Sequence, residues 1–246
     1  MDALDGWERG RHTADGVTHA TWRRGRGPGV VLIHEMPGIT PEVTRFAEEV
    51  VDAGHTVVMP QLFGTPGASM TPGQVARVAP RVCVSKEFHT LARGRTSPVA
   101  GWLRSLAREL HAELGGPGVG AVGMCFTGGF ALAMMVEEAV VAPVVCQPSL
   151  PLAIGSSRRA DLGLSPADLD VVRRRAASGC SVLGLRYRGD PATGTRFETL
   201  RRELGDDFVA VEFEGEGHSV LTEHRQEAGV RQVLDFLTTR LAPATG

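Results

Sequence analysis

The stretch "VGAVGMCFTGGF", residues 119–130, decides how the rest of the chain is read. Its first half is a continuous apolar run, as expected of a strand buried on both faces. Its second half opens a helix from Gly128. Cys125 therefore stands at a strand-to-helix joint, with Gly123 two residues before it and Gly128 and Gly129 soon after. Small neighbours let such a turn close tightly, and a side chain at its apex projects over the N-terminus of the next helix. That end of a helix favours negative charge, which suits a thiolate or a developing oxyanion. Taken alone, a cysteine at a strand end is as readily a small core residue. The usual form of the turn is G-x-S-x-G; here Thr127 holds the last position and the glycines follow it.

Working outward, apolar β-rich runs alternate with helical patterns on both sides of this joint. "VTHATWRR" (17–24) reads as a first strand, and "VVLIHE" (30–35) as one buried on both faces. "TPEVTRFAEEVVDAG" follows as a helix, with Thr40 as N-cap, Pro41 at the first position and Gly54 as its stop. "HTVVMP" (55–60) is the next strand, and residues 97–115 form an amphipathic helix capped by Ser97. Past the central joint come a helix over 128–139, a strand over 142–149 and a helix within "SPADLDVVRRRAAS". A strand over 181–189, a helix over 193–204, a strand over 208–215 and a helix over 221–241 complete the chain. This alternation predicts an α/β protein with a mostly parallel sheet covered by helices on both faces, in one domain over 1–246. Residues 61–97 are Gly- and Pro-rich with one helical stretch near 73–81, and a loop-rich excursion of that length shapes a site rather than a core.

Composition narrows the partners. With 42% apolar residues, 22% charged residues and a formal net charge of −2 in 246 residues, the chain offers no charge excess for nucleic acid or an anionic membrane surface. The basic clusters at Arg173–Arg175 and Arg201–Arg202 fall in helical segments and read as solvated faces. No apolar run approaches the roughly 20 residues that span a bilayer, and the opening "MDALDGWERG" lacks the basic-then-apolar pattern of a secretory signal. Cys83, Cys125, Cys146 and Cys180 are scattered without CxxC spacing, so neither a disulfide framework nor a metal site is expected. A reduced, cytoplasmic protein, a monomer or small homo-oligomer without cofactor, is the expectation.

In a parallel sheet ligands collect at the carboxyl ends of the strands. The reactive side chains there are Glu35 in "LIHEMPG", Cys125, Asp190 in "RYRGDPATG" and His218 in "EFEGEGHSV". Nucleophile, then acid, then histidine after the last strand is the chain order of α/β hydrolases. His218 would exchange a proton with Cys125, and Asp190 would hold the imidazole in the right tautomer. Gly-Asp-Pro is also good turn chemistry, and His218 is one of eight histidines; it is the order and the strand ends together that point to catalysis. The backbone N–H groups of Met36 and Phe126 are candidate oxyanion donors.

At these residues the chain resembles the dienelactone hydrolase family of α/β hydrolases. The matching segments are "HEMPGIT", "GMCFTGG", "GDP" and "EGHSV", in order over about residues 30–240. The resemblance implies the α/β-hydrolase fold, Cys125 as nucleophile, His218 as base, Asp190 as orienting acid and Glu35 as a second partner of the thiol. Family members that act on dienelactone recognise the substrate carboxylate with arginines, one of them a few residues beyond the histidine. Here Thr222 stands in that region and Arg225 lies further on.

The expected activity is hydrolysis of a small-molecule ester or enol-lactone through an acyl-cysteine. The same triad would serve an acyltransferase, a lactone-forming enzyme or a thioesterase of a biosynthetic pathway. A non-catalytic thiol or ligand-binding protein would need none of the four residues. Phe63, Lys86, Phe88, Arg93 and Arg95, in the 61–97 excursion, are the candidate substrate contacts, with further walls from 148–165. Trp102 reads as ordinary core.

Overall fold

The computed structural model describes residues 3–88 and 90–243; Met1, Asp2, His89 and residues 244–246 lie outside the described residues, as do those parts of the one-domain expectation and of the 61–97 excursion. Eight strands form one sheet in the order β1-β2-β4-β3-β5-β6-β7-β8. They are β1 (Glu8–Ala14), β2 (Val17–Gly25), β3 (Gly29–Ile33), β4 (Thr56–Gln61), β5 (Val119–Met124), β6 (Val140–Cys146), β7 (Val182–Tyr187) and β8 (Phe208–Phe213). β1 pairs with β2, and β2 with β4, antiparallel; the other pairings are parallel. The helices are α1 (Pro41–Asp52), α2 (Pro72–Val84), α3 (Val99–Leu114), α4 (Gly128–Met134), α5 (Ser156–Arg159), α6 (Pro166–Ala177), α7 (Arg196–Leu204) and α8 (Glu227–Leu241). The architecture is the α/β-hydrolase fold.

Strands β3 and β5 are buried along their whole length, as their unbroken apolar runs require. Two apolar layers sandwich the sheet. One gathers Phe88, Trp102, Leu103, Phe126 and Phe130. The other gathers Phe46, Met59, Leu185, Val233 and Leu237. Each fully buried side chain of this size contributes about 1.5–3 kcal/mol relative to an exposed one. Trp102 is core, with its indole N–H donating to Val17 O at 3.2 Å.

The departures from the sequence reading have local causes. β1 went unread because "ERGRHTA" is an edge strand with most of its side chains exposed, so it shows no apolar alternation. Ser97 does not cap α3; its hydroxyl donates to Phe88 O at 2.6 Å, and Pro98 takes the cap position. α4 stops at Met134 rather than 139 because guanidiniums capture the carbonyls of its end. Arg104 donates to Ala133 O at 2.7 Å, and Arg175 donates to Glu137 O and Glu138 O. α8 starts at Glu227 rather than 221, since the chain after His218 is pinned as a turn. Tyr187 Oη donates to His224 O at 2.5 Å, and His224 N–H donates to Ser219 O at 3.0 Å.

Candidate active site

The elbow is built as its sequence suggests, with one addition. Cys125 has φ +53°, in the left-handed region that a non-glycine residue occupies at a cost of about 1–3 kcal/mol. A Cβ at Gly123 would lie 2.4 Å from Thr127 O, and one at Gly128 would lie 2.6 Å from Cys146 O. These two glycines are therefore the ones the turn needs, which accounts for the shift of the pattern by one residue.

Thr127 fills the displaced position because its hydroxyl joins two strand ends. Its Oγ1 accepts from Met124 N–H at 3.1 Å and has Met124 O, Ile33 O and His34 O within 3.0–3.2 Å for its single proton. The elbow is thus stitched to the end of β3, where Glu35 and Met36 begin. Thr127→Val leaves the buried Met124 N–H without an acceptor, at a cost of about 1–3 kcal/mol. In a chain this size that lowers the melting temperature by about 2–4 °C per kcal/mol. Thr127→Ser should retain most of the lost stability; equal losses in the two variants would deny the hydroxyl this role.

Asp190, just past β7, is buried and accepts from three donors. Its Oδ1 takes Ala192 N–H at 2.9 Å, and its Oδ2 takes Thr193 Oγ1–H at 2.5 Å and His218 Nδ1 at 2.8 Å. Burial alone would raise its pKa, but the His218, Thr193 and Ala192 bonds outweigh it and hold the carboxyl below its ordinary range. With Nδ1 committed to Asp190, Nε2 is the ring nitrogen left for the Cys125 sulfur, which lies near enough to act on the charge of the ring. Burial opposes charge on the ring, yet the bond to Asp190 and the nearby Cys125 sulfur prevail and push the imidazole pKa up to about 11.

Glu35 is fully buried in the same region. Ser219 Oγ donates to its Oε2 at 2.8 Å, and Thr222 Oγ1 donates to Oε1. Burial raises its pKa, against the lowering effect of Thr222, Ser219, the His218 charge and Gln147. The hydroxyl partners recorded for Glu35 thus lie after the histidine, and Thr222 meets the carboxylate from the position where an arginine was sought. The hydroxyl recorded beside the thiol is instead that of Ser149, at 3.6 Å, with Ser149 N–H also donating to Cys125 O at 3.0 Å.

Three positioning groups escaped the sequence reading. His34 is fully buried, and its Nε2 accepts from Leu62 N–H at 3.1 Å, so the proton sits on Nδ1 and is donated to Glu35 O at 2.9 Å. Burial drops its pKa to about 4, leaving it a neutral strut at neutral pH. Arg196, with no exposed surface, donates to the carbonyls of Pro148, Asp161, Ala192 and Thr193 among others. It thereby ties the Asp190 loop to the segment that carries Ser149. Ser149 itself had as its only signal its place just past β6.

The sequence profile of the dienelactone hydrolase family matches residues 16–158, more than half of the chain. The chain belongs to the dienelactone hydrolase family. It is accordingly a hydrolase, of a family whose enzymes act on esters or lactones. No protein of curated function matches it in sequence. Among solved structures it is similar to the dienelactone hydrolase of Anabaena variabilis (TM-score 0.66, 17% identity, 96% of this chain and 98% of that one). It is also similar to the alpha/beta hydrolase GrgF of Penicillium (0.67, 14%, 96% and 99%). A third likeness is to the thioesterase domain of the curacin biosynthetic pathway (0.57, 11%, 96% and 100%). At these identities the likenesses speak for the fold alone.

In this dienelactone hydrolase family chain the aromatic candidates of the excursion reach the elbow. The Phe63 ring lies edge-on to His34 at 4.5 Å, to Phe126 at 5.5 Å and to Phe88 at 5.7 Å. Phe88 is core, 3% exposed, and stacks on Phe130. The basic candidates lie at the surface. Lys86 is exposed, Arg93 donates to Ser157 Oγ at 3.2 Å, and Arg95 edges a small cavity with Phe88 and Phe130. A cavity of about 190 Å³ between Phe63 and α2 is lined instead by Arg77 and Arg81, two guanidiniums the sequence reading passed over. They sit one helical turn apart at (i, i+4), which was the available signal. Phe126 N–H belongs to the first turn after the elbow, whose amides have no partner within the helix; Met36 is half-buried across from it on the chain leaving β3. Among the described residues no group of three or more His, Cys, Asp or Glu could hold a metal ion, and no helix is long and apolar enough to cross a membrane.

Proposed function

We propose that the protein hydrolyses an ester or enol-lactone through Cys125, His218 and Asp190, by way of an acyl-cysteine. The observation that carries this reading is the 2.8 Å bond between His218 Nδ1 and the buried Asp190 carboxylate, which leaves Nε2 as the ring nitrogen available to the elbow cysteine. The Cys125 sulfur adds to the acyl carbon and the carbonyl electron pair moves onto oxygen, where the Phe126 and Met36 N–H groups donate. As the carbonyl re-forms, the C–O bond breaks and His218 gives its Nε2 proton to the departing oxygen. Neutral His218 then takes a proton from water while the hydroxide adds to the thioester. Collapse of that intermediate breaks the C–S bond, releases the acid and restores thiolate and imidazolium. A thiolate is itself a good leaving group, so substrates that expel a stable enolate are favoured.

The cavity beside Phe63, with Arg77 and Arg81 on its wall, is our assignment for the non-reacting end of the substrate, and it suits an anionic group. The free state of all four cysteines fits the reduced, cytoplasmic setting that a thiol nucleophile needs. Mass-spectrometric mapping of the acyl adduct trapped from a substoichiometric enol ester tests the chemistry: the acyl group should sit on Cys125. Acylation only at Cys83, Cys146 or Cys180 would refute it. A lower KM for a carboxylated enol ester than for its neutral analogue tests the cavity assignment.

A further inference from the structure

Gln147, the residue after β6, combines three costs that nothing so far explains. Its backbone lies at φ +31°, a sparsely occupied region for a residue with a side chain. Its side chain has no exposed surface. Neither the amide nitrogen nor the amide oxygen has a hydrogen-bond partner among the described residues. An unsatisfied buried amide costs about 1–3 kcal/mol, and the strained backbone a similar amount. Its neighbourhood identifies what the amide serves. The amide is near enough to Glu35 to favour that carboxylate, yet makes no hydrogen bond to it. Cys146, the preceding residue, feels the charge of Glu35 as well.

A carboxylate offers about four lone-pair sites, and the two hydroxyls of Ser219 and Thr222 occupy one on each oxygen. Space on the acceptor therefore remains for an N–H donor. The charged or titratable groups around Glu35 are His218 from the loop after β8, Cys146 from β6 and His34 beside it in the chain, the last held neutral. Of these only His218 brings positive charge. On the triad reading, His218 gives up that charge when its proton passes to the leaving group. At that moment the buried Glu35 carboxylate loses its cationic neighbour.

We propose that Gln147 is a positioning residue for Glu35: its amide N–H closes on the carboxylate as a third donor and holds it ionised and in place while His218 is neutral. The proposal rests on the triad reading for its timing, and on the burial, backbone strain and unmet amide for its existence.

Gln147→Met, which keeps the length and removes both polar atoms, is the test, with Gln147→Asn and Glu35→Gln beside it. Thermal unfolding should leave Gln147→Met as stable as the parent or more so. Its kcat for an enol ester should fall about tenfold with KM little changed, and the acid limb of its pH profile should move to higher pH. In the Glu35→Gln background the same change should have no further effect on kcat. The carboxyl infrared band of Glu35, followed against pH in the Cys125→Ala protein, gives a readout independent of turnover. Its titration should move to higher pH when Gln147 becomes Met, whether or not the triad reading survives. A destabilised Gln147→Met protein with parental kcat, pH profile and Glu35 titration would mean that the amide only holds a buried water, and would overturn the proposal. Hydrolysis surviving Cys125→Ala while the Glu35 titration still moves would fault the triad reading and leave Gln147 in its role.

Discussion

Cys125→Ala should lower kcat/KM for an activated ester by about 10⁴-fold or more, with the protein folded as before. Effects of that order follow when a covalent nucleophile is removed and only binding and oxyanion donors remain. The thiol is half-buried and its recorded hydroxyl neighbour is Ser149 at 3.6 Å, so its loss opens little space and the melting temperature should move by no more than a few degrees. Cys125→Ser keeps a nucleophile, but a less reactive one, and its activity should fall between the two. Parental turnover in the alanine protein, measured on material free of contaminating esterase, would remove cysteine from the mechanism.

Asp190→Asn should lower kcat by about 10²–10⁴-fold, because an amide can present the wrong atom to His218 Nδ1 and no longer supports charge on the ring. A pH dependence follows from the same bond. The His218 pKa is raised, to about 11, so the imidazolium contributes stability in full below the ordinary histidine pKa of about 6.5 and loses it as pH rises through about 11. Without the Asp190 charge that pKa falls, and His218 loses part of its charge at neutral pH. Iodoacetamide labelling read peptide by peptide should show Cys125 of Asp190→Asn reacting about tenfold more slowly than the parent at pH 7. Exposed Cys83 serves as the internal reference. An unchanged Cys125 labelling profile would mean that Asp190 does not set the charge on His218.

Thr127 illustrates how far the sequence carried. Its place in "GMCFTGG" was visible as an irregularity, but its reason was not. The hydroxyl reaches carbonyls of residues 33 and 34, more than ninety positions away in the chain, which no local pattern encodes. Gln147 and Arg196 are similar cases. Each lies in an ordinary segment, and only the folded chain shows one with a buried side-chain amide unpaired among the described residues and the other buried among carbonyls.

By itself the sequence determined the order of strands and helices, since apolar periodicity is local and the parallel sheet follows from alternation. It also marked Cys125, Asp190, His218 and Glu35, because topology sends the ends of parallel strands to one edge of a sheet. It did not reach the polar edge strand β1, whose exposed residues carry no apolar period. Tertiary structure alone decided which partners each reactive group has. Asp190 meets His218, Glu35 is claimed by Ser219 and Thr222, and Ser149 lies beside the sulfur. Hydrogen bonds of that kind act over about 3 Å between residues far apart in the chain, so their pairing exists only once the sheet and its loops have closed.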